Sequence, residues 1–414
     1  MAIKKSNSTD VAIVGGSMVG LTLALALAQA GLKSIIIDPL PESAQTDTKF
    51  DGRVCALAFA TCRMYQALGV WEAMAPNAQA INDIMVTDGT VKGGASPFFL
   101  HYDHRELGDN ALGHILENRF NRLALFEAVK ANDLITLISP AKSVSITRSA
   151  SGAEVLLDTG QTIKARLVAG CDGRGSQTRK SAGIKTVSWT YKQSGIVTTV
   201  EHERPHKGIA QEYFLPSGPF AILPMTGNRA SLVWTERSDL VEAMMALDED
   251  AFNVEIAARF GDYLGAVKAV GPRFSYPLGL QLAREYISER LVLVGDAAHG
   301  VHPIAGQGLN MGLRDVAALA DVLAEGRSLG LDPGDFTMLE RYQQWRRFDN
   351  TALALSMDGL NRLFSNDIAP IRLARDIGLS LVGKMPPLRR LLMRHAGGDV
   401  GDLPRLLKGI SLAA

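Results

Sequence analysis

An acidic residue and a glycine-rich loop follow an apolar run in the segment LVLVGDAAHGVHPIAGQGLNMGLRDV, which begins at Leu291. The run Leu291–Val294 predicts a buried β-strand, and a helical pattern opens at Asn310–Leu323. Asp296 would then lie at the carboxyl end of a strand, where α/β folds bind their ligands. The small residues around Asp296 let a ligand approach the backbone closely. The segment therefore predicts one wall of a ligand site.

A second site of the same kind begins near the N-terminus. Val11–Val14 predicts a strand, and an Ala- and Leu-rich helix is predicted over Leu21–Ala30. Between them lies the spacing of a dinucleotide-binding turn, with Ser17 at its second glycine position. The helix dipole favours a pyrophosphate there, and we expect the serine to displace the loop only slightly. The residues predicted to bind the cofactor are Gly15, Gly16, Ser17, Met18, Val19 and Gly20.

An acid follows the next strand of this unit. Ser34–Ile37 predicts that strand, and Asp38 comes about twenty residues after the glycine turn, at the usual position of the acid that binds ribose hydroxyls. An aspartate here disfavours a ribose that bears a 2′-phosphate. The unit therefore predicts bound FAD or NAD rather than NADP.

A third loop, with the sequence CDGRGS, follows the predicted strand Leu167–Gly170. Asp172 and Gly173 begin the loop, and Arg179 comes after it. By itself, Asp-Gly after a strand indicates only a turn. In the order GGSMVG, CDGRGSQTR and GDAAH with PIAGQGLN, however, the segments resemble the single-component flavin aromatic hydroxylases, of which para-hydroxybenzoate hydroxylase is the best-known member.

The segments between these motifs narrow the resemblance to the ubiquinone-biosynthesis hydroxylases, and it extends over nearly the whole chain. The matching features are Asp51-x-Arg53-x-x-Ala56-Leu57, Leu68-Gly69-x-Trp71, Glu117-Asn118-Arg119, Gly218-Pro219-x-Ala221-x-Leu223-Pro224, Val233-Trp234-Thr235 and Tyr276-Pro277-Leu278.

The resemblance implies an FAD-dependent monooxygenase that hydroxylates the aromatic ring of a polyprenylated phenol in ubiquinone biosynthesis. It implies bound FAD, a transient visit of NAD(P)H, and O2 that forms a flavin hydroperoxide and gives one oxygen atom to the ring. The partners implied are the prenylated phenol and O2.

The resemblance also implies roles for individual residues. Gly15, Gly16 and Gly20 are expected at the pyrophosphate, and Asp38 at the adenosine ribose. The remaining cofactor contacts that it implies are Arg53, Asn118 and Arg119 in the FAD cleft, Asp172 and Gly173 near the pyrophosphate and the pyridine-nucleotide path, Gly295 and Asp296 at the ribityl chain, and Gly306, Gln307, Gly308, Leu309 and Asn310 against the isoalloxazine.

Pro303 and His299 are the candidates for chemistry at the substrate phenol. A free phenol titrates near pH ~10, so its ionisation at neutral pH needs a hydrogen-bond acceptor or a base. The resemblance implies that the Pro303 carbonyl faces the phenol. His299 is either a base or a residue that orders its loop, and His302 is the other nearby histidine. No metal site is predicted, because no histidine has metal-ligand spacing with acids or thiols.

The predicted fold is α/β, with a three-layer Rossmann-like FAD-binding domain, an interleaved antiparallel-sheet substrate domain and a helical C-terminal part. The FAD-binding domain is predicted at residues 1–78, 105–183 and 276–350, the substrate domain at 79–104 and 184–275, and the helical region at 351–414. The strands predicted for the substrate domain are Ile81–Thr87, Pro97–Tyr102, Ile196–Val200, Ala210–Phe214, Phe220–Leu223 and Ala230–Thr235. The helices predicted after them are Asp239–Phe260, Phe336–Phe364, Ile371–Leu381 and Leu388–His395.

Four aromatic and apolar residues in these strands have two interpretations. Phe214, Phe220, Leu223 and Trp234 either line an apolar pocket for a prenylated ring or fill the core of the sheet, and for any single residue the core is favoured.

Composition excludes several functional classes. The 414 residues carry 43 basic and 43 acidic side chains, so no overall charge favours nucleic-acid binding. Three cysteines without a CxxC motif fit a reducing compartment. The opening MAIKKSNSTD has no apolar stretch and predicts no signal peptide. These features predict a cytoplasmic protein that is either free or peripheral to the inner face of the membrane.

The predicted C-terminal helices do not decide whether the protein binds a membrane or another protein. They carry basic residues among Leu, Ile and Met, a pattern typical of a helix on an anionic membrane, of a surface for a multi-enzyme ubiquinone-synthesis complex, or of an ordinary solvated face. Two other functions also stay open: a flavin hydroxylase of a small soluble aromatic, and a non-catalytic flavoprotein scaffold of a quinone-synthesis complex. The basic residues are Arg372, Arg375, Lys384, Arg389, Arg390, Arg394, Arg405 and Lys408.

Overall fold

The computed structural model describes residues 7–92 and 94–413. Most of the opening segment MAIKKSNSTD, for which no signal peptide is predicted, therefore lies outside the described residues. Three sheets and their covering helices confirm the predicted α/β class. The strands are β1 Ser8–Val14, β2 Ser34–Ile37, β3 Val54–Ala58, β4 Ala78–Ile81, β5 Asp83–Thr90, β6 Gly94–Asp103, β7 Gly113–Glu117, β8 Ile135–Ile138, β9 Ser143–Ser149, β10 Gly152–Leu157, β11 Thr162–Gly170, β12 Thr186–His202, β13 Ile209–Leu215, β14 Gly218–Met225, β15 Arg229–Arg237, β16 Val267–Ala283, β17 Ile287–Ser288, β18 Leu291–Leu293 and β19 His299–Gly300. The helices are α1 Met18–Gln29, α2 Glu42–Gln45, α3 Phe59–Ala67, α4 Trp71–Met74, α5 Asn118–Lys130, α6 Gln177–Ser181, α7 Ser238–Ala246, α8 Glu249–Phe260, α9 Gln307–Ser328, α10 Phe336–Phe364, α11 Ala369–Gly383 and α12 Pro386–Gly397.

The first sheet has a parallel centre made of short apolar strands, which are apolar because both faces of the sheet are covered. Its order is β17-β18-β11-β1-β2-β8, and β10 and β9 continue from β11. On one face, Ile13 and Ile36 pack with α1, α5 and α9. On the other face, Val14 and Ile37 pack with Val155 of β10. The result is the three-layer arrangement expected from the sequence.

The second sheet has the order β19-β16-β12-β15-β14-β13-β5-β6. All of its pairings are antiparallel except that of β13 with β5. As predicted from Ile81–Thr87 and Pro97–Tyr102, two strands from the first half of the chain, β5 and β6, form one edge. A small third sheet has the order β3-β7-β4. In the sequence, its strands come after Asp38 and before the Asp172 loop.

Helices α7 and α8 cover the outer face of the second sheet, where Phe220 and Trp234 are buried with Phe252. Of the four residues with two interpretations, these two therefore fill the core. The prediction of a single helix over Asp239–Phe260 is wrong, because two helices occupy this range. The chain leaves the helical conformation at Leu247, and Asp248 begins α8 by accepting a hydrogen bond from Ala251 N at 2.8 Å.

The C-terminal helices agree with the predicted pattern. α10 has the predicted bounds, whereas α11 and α12 each extend about two residues further at both ends. A buried ion pair attaches α11 to the second sheet, since Arg375 lies 2.7 Å from Asp88 of β5. Among the described residues, the helices include none with the length and apolar character needed to cross a bilayer.

Candidate active site

Three neighbouring parallel strands of the first sheet end at one edge. Val14 of β1 pairs with Gly170 of β11, and Gly170 pairs with Leu293 of β18. The glycine turn, the Asp172 loop and the Asp296 turn follow these three residues, so the structure brings the three sequence motifs together. This edge is where open α/β sheets bind ligands.

The glycine turn is shaped by close backbone contacts. Gly15 has φ +107°, and a Cβ at this position would overlap the carbonyl of Cys171. A Cβ at Gly20 would overlap the carbonyl of Gly15, so α1 can start close to the turn only without that side chain. Ser17 occupies the N-cap position of α1, is exposed, and makes no capping hydrogen bond. Its hydroxyl is therefore free to donate to a phosphate.

Asp38 fixes the glycine turn from the next strand. Its Oδ2 accepts a hydrogen bond from Gly16 N at 2.6 Å, and its Oδ1 accepts from Leu40 N at 2.9 Å and from Gln45 Nε2 at 3.0 Å. A carboxylate has four lone-pair sites, so one remains for a ribose hydroxyl. The ribose contact itself stays a prediction.

The Asp172 loop is held by its own side chains and is attached to the Asp296 turn. Asp172 accepts hydrogen bonds from Ser176 Oγ at 2.5 Å and Thr178 N at 2.9 Å. Gly173, at φ +75°, makes the turn that follows. The buried guanidinium of Arg179 donates to the Ala297 carbonyl at 2.7 Å, which connects this loop to the third motif.

The Asp296 turn packs directly on α1. Gly295 has φ +64°, and a Cβ there would lie 3.3 Å from Val19. Gly312 of α9 lies against the same side chain. Asp296 itself is exposed and forms no hydrogen bond or ion pair with a described residue. It is thus an acid with a free carboxylate at the shared edge.

Behind this turn lies a buried charged network that the sequence prediction missed. Asp315 of α9 accepts hydrogen bonds from Gly295 N at 3.1 Å, His299 Nε2 at 2.5 Å, Arg346 Nε at 3.0 Å and Asn350 Nδ2 at 2.8 Å. Burial by itself would raise the pKa of Asp315, but the neighbouring His299 and Arg346 reverse this and lower it. The only signal in the sequence was an acid among the apolar residues of a predicted helix.

His299 and His302 are both buried. His299 is 1% exposed, and its bond to Asp315 is the contact expected of a residue that orders its loop. His302 is 0% exposed, and burial lowers its pKa to about 4, so its imidazole is neutral at neutral pH. The Pro303 carbonyl accepts a hydrogen bond from Gly306 N at 2.9 Å, which leaves one of its two lone pairs for a substrate.

The loop before α9 exposes backbone at the start of that helix. Gly306 has φ +60° and lies so close to Ala56 that a Cβ would come within 2.8 Å of it, whereas a Cβ at Gly308 would meet nothing within 4 Å. The Asn310 side chain uses both its oxygen and its amide nitrogen on protein groups, including Ala58 N at 2.9 Å. It therefore holds the loop, and the Asn310 side chain has no hydrogen-bonding capacity left for a cofactor. Gln307 donates to the Ala396 carbonyl at 3.3 Å, and Leu309 packs on the core.

The predicted cleft residues Arg53, Asn118 and Arg119 come together where β3 meets β7. Asn118 N donates to the Arg53 carbonyl at 2.9 Å. Arg53 is half-exposed and bonds Asp51 at 2.6 Å. Arg119 pairs with Glu117 at 2.8 Å, while the buried Oδ1 of Asn118 has no hydrogen-bond partner among the described residues.

These features fit an extended dinucleotide along the edge of the first sheet. The turn at α1 offers amides and a free hydroxyl for a pyrophosphate, Asp296 offers an unpaired carboxylate, and α9 begins with accessible backbone.

Comparisons with known proteins agree with this fit. A family model described as an FAD binding domain matches residues 8–349. The chain is 50% identical over 406 residues to the ubiquinone hydroxylase UbiL of Rhodospirillum rubrum, which covers 97% of this chain and 93% of that protein. The chain belongs to the ubiquinone hydroxylases, a family of FAD-dependent monooxygenases. It is also 35% identical over 392 residues to the 3-demethoxyubiquinol 3-hydroxylase of Escherichia coli, across 94% of this chain and 98% of that protein.

A solved structure supports the fold of this hydroxylase. The p-nitrophenol 4-monooxygenase PnpA of Pseudomonas putida DLL-E4 superimposes with a TM-score of 0.78 at 18% identity, over 96% of this chain and all of that chain. The match to the FAD binding domain ends at residue 349, before α11 and α12.

Proposed function

We propose that this hydroxylase adds a hydroxyl group to the aromatic ring of a polyprenylated phenol intermediate of ubiquinone biosynthesis, with O2 as oxidant and NAD(P)H as transient reductant. The observation that supports the proposal most is that the three motifs follow Val14, Gly170 and Leu293, which are paired side by side in the first sheet. The identity of the substrate rests on the ubiquinone hydroxylases to which the chain is similar.

Bound FAD supplies the redox chemistry that activates O2. The chain's own residues would bind and orient it: the turn Gly15–Gly20 would hold the pyrophosphate, Asp38 the adenosine ribose and Asp296 the ribityl chain. The backbone at the start of α9 would supply a positive potential toward the flavin ring. Asp172 and Gly173 would lie toward the pyridine-nucleotide path, and Arg53, Asn118 and Arg119 would line the FAD cleft.

The experiment that tests this function uses the purified protein and a phenol that carries a single prenyl unit. We expect stoichiometric FAD, NAD(P)H oxidation and a product heavier by one oxygen atom, and we expect a deletion strain to accumulate the prenylated phenol. Turnover of hydroxybenzoate instead of the prenylated phenol would indicate the soluble-aromatic alternative. Normal quinone levels in cells that carry a folded Asp296→Ala protein would indicate the scaffold.

We further propose that α11 rests on an anionic membrane surface, where a polyprenylated substrate is dissolved. Leu373, Ile377 and Leu381, four residues apart, are 60%, 55% and 57% exposed, so α11 presents an apolar stripe to the outside. Asp376 is the one acid between residues 369 and 397, against six arginine and lysine residues. Arg375 and Arg389 are paired within the fold with Asp88 and Glu106. The exposed Lys384, Arg390 and Arg394 provide the charge that complements anionic lipid.

Vesicle co-sedimentation tests the membrane proposal. Leu373→Ser with Ile377→Ser should release the protein from vesicles that contain anionic lipid. The control variants Leu329→Ser and Val254→Ser remove equally exposed apolar side chains elsewhere and should not. Equal binding to neutral vesicles, or equal loss in the controls, would contradict the proposal.

A further inference from the structure

The side chain of Glu212 projects from the inner face of the second sheet and has no hydrogen-bonding or ionic partner among the described residues. Ala210, Glu212 and Phe214 alternate with outward residues along β13 and therefore share one face. Ala210 belongs to an apolar cluster with Ala56 of β3, and Ala56 lies against Gly306 at the start of α9. At its Ala210 end this face therefore lies toward the loop that contains Gly306, and at its Phe214 end it is covered by α10 and α11.

The surroundings of the Glu212 carboxyl are apolar. Its neighbours across β13 are Ala221 of β14 and Val86 of β5. On its C-terminal side, Phe214 stacks on Phe364 with ring centroids 4.1 Å apart. In the part of the chain that the structure describes, the Glu212 carboxyl forms no hydrogen bond or ion pair, and the residue is only partly buried. The residue thus keeps part of its surface exposed on this face.

The charged groups nearest along this face are already paired. Asp88, two residues beyond Val86 on β5, lies 2.7 Å from Arg375 of α11. On β14 and β15 the residues in register with Glu212, Ala221 and Val233, carry no charge. Burial alone raises the pKa of Glu212 to about 7. An acid with this pKa exchanges its proton readily at neutral pH.

We propose that Glu212 is the catalytic base of this hydroxylase and accepts the proton of the substrate's ring hydroxyl. This proposal rests on the proposed function. The O–H bond of the phenol breaks, a new O–H bond forms on a Glu212 oxygen, and the electron pair stays on the ring oxygen as phenolate. The electron-rich phenolate is then ready for oxygen transfer, and Glu212 returns its proton to water. The step needs no oxidant or reductant.

The sequence offered one hint of this role. Glu212 interrupts the apolar alternation of the predicted strand Ala210–Phe214 with an acid, but only the sheet register shows which face it occupies.

The test compares wild-type protein with Glu212→Gln, which keeps the shape of the side chain and cannot take a proton, and with the exposed control Glu201→Gln on β12. With the singly prenylated phenol as substrate, wild-type kcat/KM should rise with pH through an inflection near 7. Glu212→Gln should lose this inflection and about 10²–10⁴-fold of product formation, while it keeps its FAD and oxidises NAD(P)H with release of H2O2. Glu201→Gln should behave as wild type.

A second readout does not depend on turnover. The affinity of the same phenol for the oxidised holoenzyme, measured by flavin fluorescence, should rise with pH through about 7 with the wild type and the control, because the ionised Glu212 carboxyl accepts the phenol O–H, and should not depend on pH in this range with Glu212→Gln. A wild-type pH profile, coupling and pH-dependent phenol affinity in Glu212→Gln would overturn the proposal. If the wild type shows the pH-dependent affinity but forms no hydroxylated product, the proposed function fails and the Glu212 contact stands.

Discussion

Asp315 and His299 are joined by a hydrogen bond of 2.5 Å between Oδ2 and Nε2, and neither side chain is exposed. The same Oδ2 accepts the Gly295 amide, which attaches α9 directly to the turn that carries Asp296. Arg346 of α10 completes the network from the other side. One buried carboxylate therefore fixes the end of β18, the start of α9 and the middle of α10 relative to one another.

Asp315→Asn should destabilise the fold by about 3–5 kcal/mol, because it removes the buried carboxylate that faces the Arg346 guanidinium and leaves that guanidinium only the exposed Asp349. Urea unfolding of the apo protein measures this loss. The matched control is Asp349→Asn, which removes the other acid bound to Arg346. Asp349 is 56% exposed, so its loss should cost less than about 1 kcal/mol. Similar small losses in the two variants would show that the buried network does not stabilise the fold.

Asp296→Ala should weaken FAD binding without a change in apo stability. Asp296 has no partner among the described residues, so the folded apo protein loses nothing with it. Hydrogen bonds to a charged group contribute about 1.5–3 kcal/mol, which corresponds to an affinity about tenfold to a hundredfold lower. Flavin fluorescence titration and apo thermal unfolding measure the two quantities. Asp239→Ala, an exposed acid of α7, is the control that should change neither.

Gly15→Ala should purify with little or no FAD. The methyl group would overlap the Cys171 carbonyl, and φ +107° is strained for alanine by about 1–3 kcal/mol. The turn must therefore move away from β11, and the amides that meet the pyrophosphate move with it. The ratio of flavin to protein absorbance reports occupancy. Gly359→Ala in α10, where a Cβ meets nothing within 4 Å, should retain full occupancy, and a flavin-loaded Gly15→Ala protein would contradict the assignment of this turn.

The sequence predicted the parts of the site that depend on local order along the chain. A strand followed by a glycine turn or an acid recurs at Val14, Gly170 and Leu293, and parallel strands with such ends meet at one edge of a sheet. α10 was also predicted correctly, because its pattern is long and its N-cap Asp335 is an ordinary start signal.

The parts that depend on distant contacts could not be predicted. Asp315 and Arg346 are 31 positions apart, and nothing local indicates that they meet. The face of β13 that carries Glu212 is set by its register with β14 and β5, which a one-residue shift would reverse. The break between α7 and α8 arises because Asp248 caps a new helix. The apolar periodicity continues across this position and therefore does not indicate the break.

The stability of the fold should depend on pH through Glu212. Its ordinary pKa is 4.5, and burial raises it to about 7 in the folded chain, so between these values the folded state binds more protons than the unfolded state. Stability is therefore lost as the pH rises from 4.5 to about 7, and the loss is constant above that. Glu212→Gln does not titrate and avoids this loss. Its melting temperature should equal that of the wild type near pH 4.5 and exceed it by about 2 °C or more at pH 8. Scanning calorimetry of apo proteins at the two pH values measures the difference, and Glu201→Gln, whose carboxyl is exposed, should show none. A Glu212→Gln protein less stable than wild type at pH 8 would mean that the carboxylate has a stabilising partner and is not free to receive a proton.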